Sequence, residues 1–213
     1  MGRRINVVLY ILLVSIILMS CQAPPVGSAE WHFERAYRLA NAGRYHDAIA
    51  EYTNAINIDP TMAKAYVNRG AAFASNGQYD QTIVDCTKAI ELDPNLTLAY
   101  NNRATAYNSK GQYDLAIADC NKAIALNPDL TVAYINRAQA YLGNKQYAEA
   151  IDSCNKAIEL DPGLAQAYFH RGLAYKGQNN NTAAVADFIK FIDLTDDPQL
   201  EQMALKLIKE LSQ

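Results

Sequence analysis

Apolar and polar residues follow a helical period along most of the chain. In residues 97–130, apolar or aromatic side chains recur every three or four positions until the polar stretch around Gly111 interrupts them. A second apolar stripe then runs to Asn127 and Pro128, and it stops there because proline cannot extend the interior of a helix. The pattern predicts two helices joined by a short turn, which is a helical hairpin.

The same pattern recurs every 34 residues through residues 29–198, without an insertion or a deletion. The eighth position of each block is small: Ala36, Gly70, Ala104, Ala138 and Gly172. Four of the blocks close on a proline: Pro60, Pro94, Pro128 and Pro162. Because a lone hairpin of this size cannot bury its own apolar face, the period predicts a stack in which each hairpin covers the next.

This recurrence of small, aromatic and proline positions resembles the tetratricopeptide repeat (TPR). The resemblance implies an all-α fold, a right-handed superhelical solenoid of helix-turn-helix repeats. The five repeats span residues 29–62, 63–96, 97–130, 131–164 and 165–198. The fifth is degenerate, with Phe191 in place of alanine and Asp196 in place of proline. Asp197 and Pro198 provide a helix start, and the apolar stripe beyond them predicts a capping helix over residues 199–213.

The first twenty residues differ in character from the repeats. Arg3 and Arg4 precede an apolar run over residues 5–19, as in a secretory signal peptide. This run is shorter than the roughly 20 residues that a membrane-spanning helix needs. Leu18, Met19, Ser20 and Cys21 resemble a bacterial lipobox.

The lipobox resemblance implies that residues 1–20 are removed and that Cys21 becomes the lipidated first residue. Stable membrane anchoring needs more than one acyl chain, because a single chain binds only marginally. Residues 21–28 would then form a short tether, since Pro24, Pro25 and Gly27 disfavour a helix. The expected location is the cell envelope: the periplasmic side of the outer membrane if the cell has one, otherwise the outer face of the cell membrane. An ordinary signal peptide or a short uncleaved anchor is the alternative.

Charge and motifs narrow the class of function. A net charge of -3 and a pI near 5.6 argue against a nucleic-acid partner, which requires clustered basic residues. The three histidines do not cluster in the sequence, since His32 and His46 lie 14 residues apart in the first repeat and His170 lies in the fifth, and we find no phosphate-binding loop or nucleophile motif. We therefore predict no enzyme activity, no cofactor and no metal site.

Two recurring polar positions are predicted to belong to the framework. Cys86, Cys120 and Cys154 share the twenty-fourth position, and one-hairpin spacing places them too far apart for disulfides, so we interpret them as buried packing residues. Arginine fills the seventh position of every block: Arg35, Arg69, Arg103, Arg137 and Arg171. These could form an anion-binding stripe. We favour ion pairs with the carboxylates at the twenty-third position, because a partly buried charge must be paired. The fourth block has Ser153 there, beside Asp152.

The resemblance also implies a concave groove lined by the first helix of each hairpin. The sixth position carries Asn68, Asn102 and Asn136, whose amides can bond an extended backbone. The apolar candidates at the fifth and second positions are Phe33, Val67, Ile135, Phe169, Leu98 and Val132. Exposed apolar side chains indicate a partner. The alternatives are amides that merely bond water or helix, apolar groups that fill a tight curve, and Phe33 as an N-terminal cap.

These observations predict a non-catalytic scaffold or adaptor, lipid-anchored in the bacterial envelope. Its groove would bind an extended peptide or a partner helix, with envelope assembly as the setting suggested by family analogy. The pattern by which co-chaperones hold a C-terminal carboxylate is matched only at Asn102, which disfavours that partner. The alternative is a self-associating structural lipoprotein whose groove or first hairpin forms a homo-oligomer interface.

Overall fold

The computed structural model describes residues 24–212, which contain eleven α-helices and no strand. The first hairpin consists of α1 (Ala29–Asn41) and α2 (Tyr45–Ile58). The next three are α3 (Ala63–Ser75) with α4 (Tyr79–Leu92), α5 (Thr97–Ser109) with α6 (Tyr113–Leu126), and α7 (Thr131–Gly143) with α8 (Tyr147–Leu160). The fifth is α9 (Ala165–Gly177) with α10 (Asn181–Leu194), and α11 (Pro198–Leu211) follows. The predicted all-α repeat of helical hairpins is confirmed.

The chain divides into two compact units, one up to Met62 and one from Ala63 onward. In the first unit, the hydroxyl oxygen of Ser28 caps α1 by accepting a hydrogen bond from the backbone N–H of Trp31 at 3.2 Å. Tyr52 fills the interior of this hairpin and is 1% exposed. Glu51 pairs with both His32 and Arg35 across the two helices.

The second unit contains four hairpins and α11. The two helices of each hairpin pack together, and the second helix of one hairpin packs on the first helix of the next. The first helices of adjacent hairpins also contact each other: α3 with α5, α5 with α7, and α7 with α9. These four first helices therefore share one surface, which we call the inner face. Helix α11 packs on α10.

Small residues set how closely the helices of a hairpin approach. Ala104, Ala116 and Cys120 form a cluster that is closed to solvent, with Ala140 from the next hairpin. The fifth hairpin instead combines a glycine on its first helix with a large ring on its second helix. A Cβ at Gly172 would lie 2.8 Å from the ring of Phe188. Phe188 takes the place that cysteine has in the three preceding hairpins.

The cysteines at the twenty-fourth position are buried and free, as predicted for packing residues. Burial raises the pKa of the thiols of Cys86, Cys120 and Cys154 to about 12. Because the thiolate is the reactive form, these side chains are chemically inert in the folded protein.

The arginines at the seventh position pair as predicted in the second, third and fifth hairpins. The Nε and Nη2 groups of Arg103 donate to the two carboxylate oxygens of Asp119 at 2.7 and 2.8 Å. Arg69 and Asp85, and Arg171 and Asp187, repeat this geometry. Each pair joins the first helix of a hairpin to its second helix.

The remaining arm of the guanidinium reaches back one hairpin. Nη1 of Arg103 donates to the hydroxyl oxygen of Thr87 at 2.9 Å, and Nη1 of Arg171 donates to the amide oxygen of Asn155 at 2.7 Å. One arginine thus connects both helices of its own hairpin with the second helix of the preceding one.

The fourth hairpin replaces the ion pair with neutral hydrogen bonds. Arg137 donates from Nε to the hydroxyl oxygen of Ser153 at 3.1 Å and from Nη1 to the amide oxygen of Asn121 at 2.9 Å. Asp152 is exposed, and its carboxylate makes no ion pair with Arg137 in the described part of the chain. The hydroxyl of Ser153 therefore accepts the hydrogen bond that a carboxylate accepts from the arginine of the other hairpins.

Reversing the charge of Asp119 tests the arginine pairs. Asp119→Lys leaves the half-buried guanidinium of Arg103 without its carboxylate and adds a second cation, so we expect the free energy of unfolding to fall by about 3 kcal/mol or more. The matched control is the exposed Asp152→Lys, which should change it by less than about 0.5 kcal/mol. Urea unfolding measures both. Equal stability of the two variants would show that the ion pair does not hold the hairpin.

Candidate partner-binding groove

The inner face of the second unit presents the second, fifth, sixth and ninth positions of the first helices. At its C-terminal end, Asn136 and Gln139 of α7 line one pocket together with Gln166 and His170 of α9. Leu98 and Val132 occupy the position equivalent to Gln166 in the third and fourth hairpins. Of the predicted groove residues, Ile135, Asn136 and Phe169 line this pocket together, and the use of the groove by a partner stays a prediction.

Asn136 does not present a free amide to this surface, which corrects the prediction for that residue. It is 8% exposed, and its Nδ2 donates to the Oδ1 of Asn101 at 2.9 Å and to the Oγ1 of Thr105 at 3.0 Å. Its backbone carbonyl accepts a hydrogen bond from Nδ2 of Asn108 at 2.8 Å. The amide bonds the preceding hairpin because that hairpin supplies polar groups at the fifth and ninth positions.

Asn68 and Asn102 lie in a different environment. Both are half-buried. In the preceding hairpin, Asn102 has Val67 and Ala71 at the positions where Asn136 finds Asn101 and Thr105. Apolar side chains cannot bond the amide, and among the described residues neither Asn68 nor Asn102 has a side-chain hydrogen-bond partner. Their role in binding a partner stays a prediction.

The apolar candidates separate into exposed and buried sets. Leu98 is 53% and Val132 is 43% exposed. Val67 and Ile135 are only 5% and 4% exposed, so the expectation that they face water is wrong. Both side chains are covered by the first helix of the next hairpin, whose third residue is alanine: Val67 packs on Ala99, and Ile135 packs on Ala167.

The two phenylalanines at the fifth position are partly buried. Phe169 packs with its ring centroid 5.8 Å from that of Phe188 and 5.0 Å from that of Phe191. Phe33 belongs to the first unit, where its ring lies 5.7 Å from that of Tyr52. Both therefore contribute to packing, and a role in binding stays a prediction for each.

An open pocket of about 350 Å³ lies where α7, α9, α10 and α11 meet, and we call it the end pocket. It is lined by Ile135, Asn136, Gln139, Gln166, Phe169, His170, Phe191, Leu200 and Met203. Sequence reasoning did not select Gln139, Gln166, Leu200 or Met203 as site residues. One feature of the sequence did point to this pocket: His170 replaces the asparagine that the three preceding hairpins carry at the sixth position.

His170 is largely buried in the wall of the end pocket. Its Nδ1 atom has no hydrogen-bond partner in the part of the chain that the structure describes. Burial lowers the pKa of the imidazole from 6.5 to about 4, because the charged form would lose its hydration. The ring is therefore neutral at neutral pH.

Two further properties of residues 24–212 bear on function. No group of three or more His, Cys, Asp or Glu side chains is placed to hold a metal ion. Within the same range, none of the helices combines the length and the apolar character required to traverse a bilayer. The signal peptide and Cys21 lie outside the described residues, and their assignment stays a prediction.

The sequence also matches models of a known repeat family. Tetratricopeptide-repeat models match residues 63–96, 97–130, 131–164 and 165–198, and a TPR-repeat model matches residues 36–77. These matches cover well over half of the chain, so the protein belongs to the tetratricopeptide-repeat family. Proteins of this family are generally non-catalytic scaffolds for protein or peptide partners. A search of curated proteins returned no match.

Solved structures with the same fold share little sequence with this chain. MamA from Desulfovibrio magneticus RS-1, from residue 41 to its end, is 23% identical with a TM-score of 0.70, over 79% of this chain and 97% of that one. YrrB, a TPR protein with an unusual peptide-binding site, is 24% identical with a TM-score of 0.66, over 84% and 92%. A thermophilic TPR protein from Thermus thermophilus is 16% identical with a TM-score of 0.71, over 85% and 99%. At these identities the likeness establishes the fold.

The buried imidazole predicts a loss of stability in mild acid. Since the pKa of His170 is about 4 in the folded chain and 6.5 in the unfolded one, the unfolded chain binds more protons between these pH values. The free energy of unfolding should therefore decrease as the pH falls from 6.5 to 4, by up to about 3 kcal/mol.

The variant His170→Asn, which installs the residue found at this position in the three preceding hairpins, supplies the comparison. Its urea midpoint should decline less over the same pH range, because His32, His46 and the carboxylates are unchanged and their contributions cancel in the difference. Parallel curves for the two proteins would rule out a buried neutral imidazole.

Proposed function

We propose that this protein is an adaptor that holds an extended segment of a partner protein on its inner face while a lipid at Cys21 ties it to a membrane of the bacterial envelope. A partner helix is the second form that the segment could take. The proposal assigns binding to the inner face and no catalytic role to any residue.

The observation that carries the proposal is the pair of exposed apolar side chains at the second position, Leu98 and Val132. Leu98 lies on α5, one turn before the half-buried Asn102, and Val132 lies on the adjacent first helix α7. Apolar contacts would supply affinity, and an amide without an internal partner can both donate to and accept from the backbone of a bound segment.

Three further points support this reading. The family is one of scaffolds for protein or peptide partners, and YrrB, which shares the fold, has a peptide-binding site. The amides and apolar groups lie on adjacent first helices, so an extended chain crossing those helices could contact several of them. The arginines at the seventh position are occupied in framework contacts, which leaves them unsuited to recognising an acidic partner.

Selection from a phage-displayed library of random linear peptides, on the full chain in detergent, tests the inner face. The selected peptides should bind at least about tenfold more weakly to Leu98→Glu/Val132→Glu, because a bound peptide would cover the two introduced carboxylates and remove their hydration. The control is Val84→Glu/Leu115→Glu, which adds the same charge at exposed sites of the second helices α4 and α6.

Equal losses in the two double variants would contradict binding on the inner face. Light scattering on the same proteins separates the self-association alternative, in which Leu98→Glu/Val132→Glu converts an oligomer to a monomer.

Metabolic labelling with an alkyne fatty acid in a bacterial host tests the anchor. The wild-type chain should take up the label and begin at Cys21, because the lipobox directs acylation of that thiol. Cys21→Ser should lose the label, whereas Cys154→Ala should keep it. A labelled Cys21→Ser chain, or an unmodified mature chain starting elsewhere, would exclude the lipoprotein assignment.

A further inference from the structure

The end pocket differs from the rest of the inner face because α11 supplies one of its walls. Leu200 and Met203 are 39% and 40% exposed there, although the adjoining side of α11 is buried through Ala204. Two large apolar side chains on a terminal helix are thus left partly uncovered, directly beside Phe169.

A second depression adjoins the end pocket and shares Gln166, Phe191 and Leu200 with it. It has a volume of about 640 Å³, and the turn between α10 and α11 forms its far side. Its lining includes the carboxylates of Asp196 and Asp197 and no basic side chain. A chain leaving the end pocket past Leu200 therefore enters a region of negative charge.

We propose that the end pocket seats one uncharged apolar side chain of the bound segment, and that the residues next to it in that segment are basic. The proposal rests on the proposed function and specifies which kind of segment is bound. The anchor would be a residue such as leucine, methionine or phenylalanine.

The size and polarity of the end pocket select the anchor. Its volume of about 350 Å³ is at the lower end of the range for ligand pockets, which suits one large side chain and its backbone. At neutral pH none of its lining residues carries a charge, since burial keeps the pKa of His170 near 4. A charged side chain would be desolvated there without a counter-ion.

The polar groups of the end pocket suit the backbone on either side of the anchor. Gln139 and Gln166 are not buried and can both donate and accept hydrogen bonds. The unpartnered Nδ1 of the largely buried His170 is a further polar atom in this wall whose hydrogen bond the described part of the chain does not supply. Unpaired buried polar atoms are uncommon in folded proteins, and a water molecule or a backbone group of the bound segment can supply the missing hydrogen bond.

Three blocked tripeptides test the proposal: acetyl-Lys-Leu-Lys-amide, acetyl-Glu-Leu-Glu-amide and acetyl-Lys-Ser-Lys-amide. They are titrated into the full chain in detergent with ¹³C-labelled methionine methyl groups. Met203 lines the end pocket and reports occupancy, whereas Met62 is buried in the first unit and serves as the reference. We expect the first peptide to shift the Met203 signal saturably and at least about fivefold more tightly than the other two, with Met62 unmoved.

Matched variants assign the effect to particular residues. Leu200→Asn should weaken the first peptide at least about tenfold, whereas Leu205→Asn, at a similarly exposed site on the same helix outside the pocket, should not. Asp196→Lys should remove the preference for lysine over glutamate, and the exposed Asp152→Lys should leave it intact. Both Leu200→Asn and Asp196→Lys retain Met203 as the reporter.

The results separate this proposal from the proposed function. If no tripeptide moves Met203, or Leu200→Asn and Leu205→Asn behave alike, the end pocket is not an anchor site. If library peptides then still require Leu98 and Val132, binding on the inner face stands without it. A tighter fit of acetyl-Glu-Leu-Glu-amide would overturn the assignment of basic neighbours.

Discussion

A half-buried guanidinium between helices is the constraint on which the stack depends. The donors of the cation at the seventh position cannot be left unpaired, so the second helix of the same hairpin and that of the preceding hairpin must each present an oxygen acceptor. For Arg103 these are Asp119 and Thr87, and the aromatic rings of Tyr100 and Tyr107 lie 5.8 and 6.0 Å from the guanidinium carbon. One side chain thereby joins the two helices of its own hairpin and fixes their register on the preceding hairpin. Arg137 keeps the contacts in both directions with neutral partners, Ser153 and Asn121, so the geometry persists where the ion pair is absent.

Because register is fixed by these arginines, the residues of the inner face can vary between hairpins without loss of the stack. In the third and fourth hairpins, Asn136 is hydrogen-bonded to Asn101 and Asn108 and is buried, whereas Leu98 and Val132 remain exposed. At the C-terminal end, the regular alternation stops and α11 packs on α10 through Ala204 and neighbouring apolar residues. The inner face is thus a series of distinct environments on a uniform framework.

The sequence was sufficient to predict the helical hairpins and their ion pairs. It was insufficient to predict which side chains of the inner face are exposed. Small residues at the eighth position and arginine opposite aspartate recur in register, so the hairpins and their ion pairs could be predicted from the period alone. The burial of Val67, Ile135 and Asn136 could not, because it depends on what the adjacent hairpin places against each of them. For Asn136 the deciding partner is Asn101, 35 residues earlier, at a position where the other repeats of the second unit carry an apolar residue. The end pocket depends on where α11 lies, and α11 stands outside the 34-residue period.

The exchange of volumes at Gly172 and Phe188 limits how this protein can evolve. In the third and fourth hairpins an alanine of the first helix faces a cysteine, whereas in the second hairpin Gly70 faces Cys86 and a Cβ there would lie 3.1 Å from the cysteine sulfur. A recombination that joined a first helix carrying alanine to α10 would force a methyl group against the Phe188 ring, and the reverse would leave a void beside Gly172. The third and fourth hairpins are therefore matched in volume, whereas α10 accepts only a first helix that carries glycine at its eighth position.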